Sequence, residues 1–227
     1  MHKLDRDNTA APPCLSGYHH TTHSWDNFGS KCKKQLRAAL VKMQGIPGVT
    51  TEDASEYGVR CAYCEDAIHH AGHIEHFRRK NKNHFPELTF DWSNLFLACG
   101  SKNHCGHYKD RSRANPYNPD ELIKPDVEDP EEYFYFHSSG EVRTRAGIDA
   151  DKTHKANETI RVFGLDNRTL AGNRARAVKP YKKMLEEIAD WEPELINQYI
   201  QEEIEKTQWE AFSTTIKHLL VPVSGQA

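Results

Sequence analysis

No apolar run in this 227-residue chain approaches the ~20 residues needed to cross a bilayer. The opening stretch from Met1 to Pro13 also lacks the apolar core of a signal peptide. Together these absences predict a cytoplasmic protein with no membrane partner. Internal repeats and low-complexity tracts are missing. Positive charge is in deficit: 30 Lys and Arg against 33 Asp and Glu leave a net charge of −3. Bulk attraction to nucleic acid is therefore excluded, and any such contact needs a local basic patch. Cysteines number six. A reducing cytoplasm argues against disulfides, so Cys14 and Cys32, which stand apart from the rest, are expected as free thiols.

What is present divides the chain into three. Residues 1–58 read as an N-terminal helical arm, with Leu36, Leu40 and Met43 at helical spacing and Gly45-Ile46-Pro47-Gly48 as the stop. Thr50 to Tyr57 reads as a loop or short helix. Residues 59–115 hold four of the cysteines and seven of the fourteen histidines. Polar side chains cannot fill a core unpaired, so that density asks for a site. Residues 116–227 carry a hairpin signal, Tyr133 to Phe136 and Val142 around Ser138-Ser139-Gly140-Glu141. Helices follow: one capped by Asp166 or Asn167, and one opened by Pro193 with Ile196, Ile200 and Ile204 on a face. Val223 to Ala227 reads as a frayed end. The fold class is α+β.

Cys61-x2-Cys64 and Cys99-x5-Cys105 flank a 34-residue insert. Four thiolates in tetrahedral array select zinc and close its coordination shell, which makes a structural site. His104 can stand in for one cysteine. A redox Cys-x2-Cys is the rival reading, though no thioredoxin-like βαβ pattern surrounds it.

Inside this clamp lie His73, Glu75, His76 and Asn94, and just after it His107. The order His76, Asn94, His107 resembles the HNH, or ββα-metal, nucleases. A closer resemblance is to the PtuB-like HNH subunit of Septu and retron-associated anti-phage systems. It rests on Lys3 to Arg6, Cys61 to Glu65, His73 to Arg78, Phe90 to Leu97, Cys105-Gly106-His107 with Lys109, Leu122-Ile123, Asp129-Pro130-Glu131 and Thr159-Ile160. It extends to about Arg176. Two positions depart: Gly106 stands where many HNH enzymes carry Asn, and Arg79 where the closer family often has proline.

The resemblance implies a zinc-clamped ββα core between the arm and the helical C-terminal part. It implies a phosphodiester hydrolase in which His76 takes a proton from water. Glu75 and His107 would hold a catalytic magnesium or manganese ion, with His73 the rival ligand because it shares a strand face with Glu75. Asn94 would orient the loop bearing His76. Glu75 and His76, as strand neighbours, reach one phosphate only if the strand ends or bends there. A PtuA-like ABC/SMC-type ATPase, and a retron reverse transcriptase with its msDNA, are the implied partners. The N-terminal arm and the C-terminal helices are candidate docking surfaces for them.

Arg78, Arg79, Lys80 and Lys82 follow His76, and Lys102, Lys109, Arg111 and Arg113 surround the last cysteine. Of these, Arg78, Arg79, Lys80 and Lys109 are the expected contacts to DNA or RNA phosphates. A zinc module that binds nucleic acid or protein without cutting remains the alternative.

Overall fold

Helix α1, Ser30–Gln44, forms where the apolar spacing predicts it. It buries Leu36, Leu40 and Met43 against the strands that carry the motif, and Gly45 ends it. The protein is described by a computed structural model over residues 1–46, 59–68 and 71–221. The expected loop or short helix from Thr50 to Tyr57, the histidines at 69 and 70, and the end from Val223 lie outside the described residues.

Strand β1, His73–His76, pairs antiparallel with β2, Leu95–Ala98, in the register His73 to Ala98 and His76 to Leu95. Helix α2, Cys105–Lys109, follows. Two arm residues fasten this unit. The buried Gln44 amide accepts the Leu97 N–H at 2.6 Å and donates to the Leu97 and Arg60 carbonyls. It thereby supplies β2 with the hydrogen bonds a further strand would give. Arg6 donates to the carbonyls of Trp92 and Leu95 and pairs with Asp126.

The hairpin is present as β3, Phe134–Phe136, and β4, Val142–Thr144. Asp149 caps α3, Ala150–Phe163, which ends at Gly164 in the left-handed conformation (φ 59°) that favours glycine. Asn167, rather than Asp166, caps α4, Arg168–Glu187, by accepting the N–H groups of Thr169 and Leu170. Pro193 opens α5, Pro193–Thr207, and α6 spans Ser213–Leu220. One apolar cluster runs from Met1 to Phe212 across all three sequence segments, and a smaller one joins Val178, Ile216 and Leu220. Among the described residues no helix is long and apolar enough to cross a membrane.

The expectation of free thiols at Cys14 and Cys32 is corrected: they form a disulfide. A short 3-10 turn at Pro13–Gly17 sets Cys14 against the first turn of α1, with the two Cα atoms 5.8 Å apart. The compartment argument is blind to this geometry, which decides whether two cysteines can be bridged.

Candidate active site

Two groups of functional side chains involve the β1–β2–α2 unit. In the first, the donor atoms of Cys61, Cys64, Cys99 and Cys105 all lie within 4.8 Å of one another. A tetrahedron of Zn–S bonds near 2.3 Å has edges of about 3.8 Å. The Cys61–Cys105 and Cys64–Cys99 sulfur separations are 3.7 and 3.9 Å. Burial pushes the Cys64 and Cys105 thiols well above their ordinary range, whereas the hydrogen bond from Cys105 and those of its fellow thiols hold Cys99 low. Thiols packed this closely lose their protons together only when a cation takes up the charge. Four cysteines here can hold a metal ion such as zinc. His104 stands beside the cluster, its Nδ1 3.2 Å from the Cys105 sulfur, and displaces no cysteine. Cys105 itself has left-handed backbone (φ 62°), rare outside glycine and held here by the closed cluster.

The second site is a cleft of about 710 Å³ lined by α1, β1 and α2. His73, Glu75, His76, Gly106 and His107 line one side, and Trp25, Lys33, Lys34 and Arg37 line the other. β1 ends at His76. That supplies the bend which lets Glu75 and His76, neighbours in sequence, face one cavity. Asn94 shapes the turn that follows. Its Oδ1 accepts the Arg78 N–H at 2.7 Å, and its Nδ2 donates to the Arg78 and Leu88 carbonyls.

His76 is 4% exposed. Its Nε2 lies 3.0 Å from the Thr89 carbonyl, an acceptor only, so Nε2 carries the proton and Nδ1 is the basic nitrogen. The Trp25 ring meets the imidazole edge-on, with centroids 4.4 Å apart. Burial, aided by the charge of Lys80, lowers the His76 pKa to about 3. The ring is therefore neutral near pH 7 but a weak proton acceptor as it stands, and the charge of a bound phosphodiester would raise its basicity.

Glu75 accepts from or pairs with His73 at 3.1 Å, and its other oxygen is 3.0 Å from the Lys109 ammonium. Burial pushes this carboxyl up, but Lys109 and His73 bring it down to about 2. The rings of His73 and His107 stack at 4.0 Å, and partial burial together with His73 lowers the His107 pKa. The three residues expected at a second metal thus gather in one place. Their donor atoms do not close as the thiols do, since the cysteine group is the one such cluster among the described residues. Buried Nδ1 of His73 has no hydrogen-bond partner there, while Oε1 of Glu75 is taken up by its ion pair with Lys109. A Cβ at Gly106 would stand inside contact distance of the Glu75 carboxylate, so glycine at this departure from the pattern makes room for Glu75.

The expected phosphate contacts need correction at Lys109. It is 1% exposed, and its ammonium donates to the His76 carbonyl and to Asp110. Burial opposes its charge, but Glu75 and Asp110 more than offset this and raise its pKa. It braces the site and cannot reach a ligand. Arg79 pairs with Asp110 and lies over the Tyr117 ring, and Arg78 pairs with Asp120. Lys80 keeps its place on the cleft. Sequence reasoning did not find Trp25, Lys33 or Lys34, which lie some forty residues before the motif and carry no local signal of it.

The chain matches no family model and no curated protein.

Proposed function

We propose that the chain is a metal-dependent endonuclease of the HNH, ββα-metal type that hydrolyses phosphodiester bonds of nucleic acid. The observation that carries this reading is one cleft lined by the buried His76, its proton held on Nε2 by Thr89, together with Glu75, His73 and His107. The order β1, β2, α2 behind a four-cysteine cluster supports the ββα-metal assignment.

His76 Nδ1 takes the proton of the attacking water, Thr89 keeps the tautomer, and Asn94 fixes the turn that orients the ring. Glu75, with His107 or His73, would hold magnesium or manganese, which supplies charge neutralisation at the phosphoryl and leaving oxygens. The cysteine cluster would hold zinc and stay out of the chemistry. By the resemblance of the quoted motifs, the enzyme acts in anti-phage defence with a PtuA-like ABC/SMC-type ATPase, and in a retron setting with the reverse transcriptase and its msDNA.

The test is cleavage of plasmid DNA, single-stranded DNA and RNA by wild type and His76→Ala at equal zinc content. A binding module would tolerate the substitution.

A further inference from the structure

Among the described residues, no acid pairs with the three lysines of the cleft. Lys33, Lys34 and Lys80 enter no ion pair among the described residues, whereas Arg78, Arg79 and Lys109 each hold a carboxylate. The acids on the cleft, Glu75 and Asp110, are engaged by Lys109, His73 and Arg79. The unneutralised charge therefore belongs to α1 and to the chain just after β1, on opposite walls. The two walls converge on Trp25: the Lys33 ammonium lies 5.4 Å from its ring centroid and the Lys80 ammonium 5.8 Å. Both ammoniums thus stand at the one indole, and an anion bound beside Trp25 would be attracted by each of them. The His76 ring is edge-on to the same indole.

The wall is firmly placed. Arg37 donates to the carbonyls of Ala71 and Gly72 just before β1. Gln44 grips β2, and the disulfide ties Cys32, next to Lys33, to Cys14. Phe28 stacks on Trp25 at 5.0 Å and holds it from within the core. Lys33 and Lys34 are exposed on this fixed helix.

We propose that Lys33 and Lys34 of the N-terminal arm, with Lys80 facing them, form a phosphate clamp. It grips the backbone of a nucleic-acid strand next to the phosphate presented to His76. The clamp rests on the reading of the His76 cleft as a phosphodiesterase. It makes α1 a substrate-binding wall, and it assigns affinity and catalysis to different residues. Phosphate contacts of this kind position a strand without reading its sequence.

The test is fluorescence anisotropy of the full-length zinc-loaded chain with labelled single-stranded DNA, and with RNA and duplex DNA of the same sequence. Magnesium and manganese are left out so that the probe survives. Losing two phosphate contacts flattens the log Kd against log salt slope by about 1.4 on a single strand. Lys33→Gln/Lys34→Gln is expected to show that change, with roughly tenfold weaker binding at low salt. Lys33→Arg/Lys34→Arg should restore both, and the three probes show which strand chemistry the clamp prefers. In cleavage, the Gln variant should raise KM and leave kcat near wild type. Unchanged affinity and slope in the Gln variant, alongside weaker binding in Arg78→Gln/Arg79→Gln, would overturn the clamp. So would a wild type that binds none of the three probes. If the Gln variant loses affinity as stated while His76→Ala cuts like wild type, the clamp stands and the nuclease reading fails. Loss of cutting in His76→Ala with unaltered binding in the Gln variant does the reverse.

Discussion

The side-chain amide of Asn94 closes a ring with the backbone of Arg78, accepting its N–H at 2.7 Å and donating to its carbonyl at 3.0 Å. This pairing holds the turn immediately after His76. Asn94→Ala removes it and leaves the Arg78 N–H and carbonyl without partners, while the Leu88 carbonyl keeps the Asp91 N–H. A loss of about 3 kcal/mol in stability is expected from unmet buried hydrogen bonds, with cleavage reduced by about 100-fold or more as the ring loses its setting. Asn94→Asp keeps the acceptor but sets a carboxylate oxygen against the Arg78 and Leu88 carbonyls, so it should rescue neither. Chemical denaturation and initial cleavage rates measure the two effects.

Gly106 offers a gentler perturbation. Gly106→Ala puts a methyl against the Glu75 carboxylate, next to its ion pair with Lys109. The expected outcome is a shifted Glu75, zinc content unchanged, and a higher magnesium or manganese concentration for half-maximal cutting. Metal titration of the rate, with zinc measured on the same samples, checks this. Equal metal dependence in both proteins would remove Glu75 from the ion.

The four cysteines predict one tightly held zinc per chain, released on chelation or on Cys105→Ser. The segment they clasp gathers its four thiols within 4.8 Å of one another, so zinc bound there would stabilise the fold directly. Chelator should lower the Tm and expose tryptophan, with recovery when zinc is added back. Elemental analysis and circular dichroism read both.

The disulfide closes the loop from Cys14 to Cys32, which carries Trp25 and Phe28. A loop of this length is worth about 3 kcal/mol in the chain-entropy account. Cys14→Ser, or reduction of the wild type, should cost that much stability and shift Trp25 emission. Reduction of Cys14→Ser should then add nothing. Denaturant melts with and without reductant give the comparison.

Much of this was legible in the sequence. Period, stop and cap signals located α1, the hairpin and the helices at Asn167 and Pro193, because each rests on local backbone chemistry. The cysteine spacing found the four-cysteine cluster for the same reason. Lys109 misled because a basic residue beside a motif looks like a phosphate contact. It lies four residues after Cys105, on the same face of α2, and that face points into the core. The i, i+4 relation to a buried ligand was the available warning. Lys33, Lys34 and Trp25 gave none, since only the packing of α1 on β2 brings them to His76. The Cys14–Cys32 bond was hidden similarly, by a turn whose direction no spacing rule supplies.

The proposed role of His76 as the base of a phosphodiester hydrolase is tested by the cleavage rate of wild type against His76→Ala, matched for zinc and melting temperature, on plasmid DNA, single-stranded DNA and RNA with magnesium or manganese. Wild type is expected to cut at least one substrate in a metal-dependent way, with a fall of about 100-fold or more in the variant. Equal rates in the two proteins would contradict it.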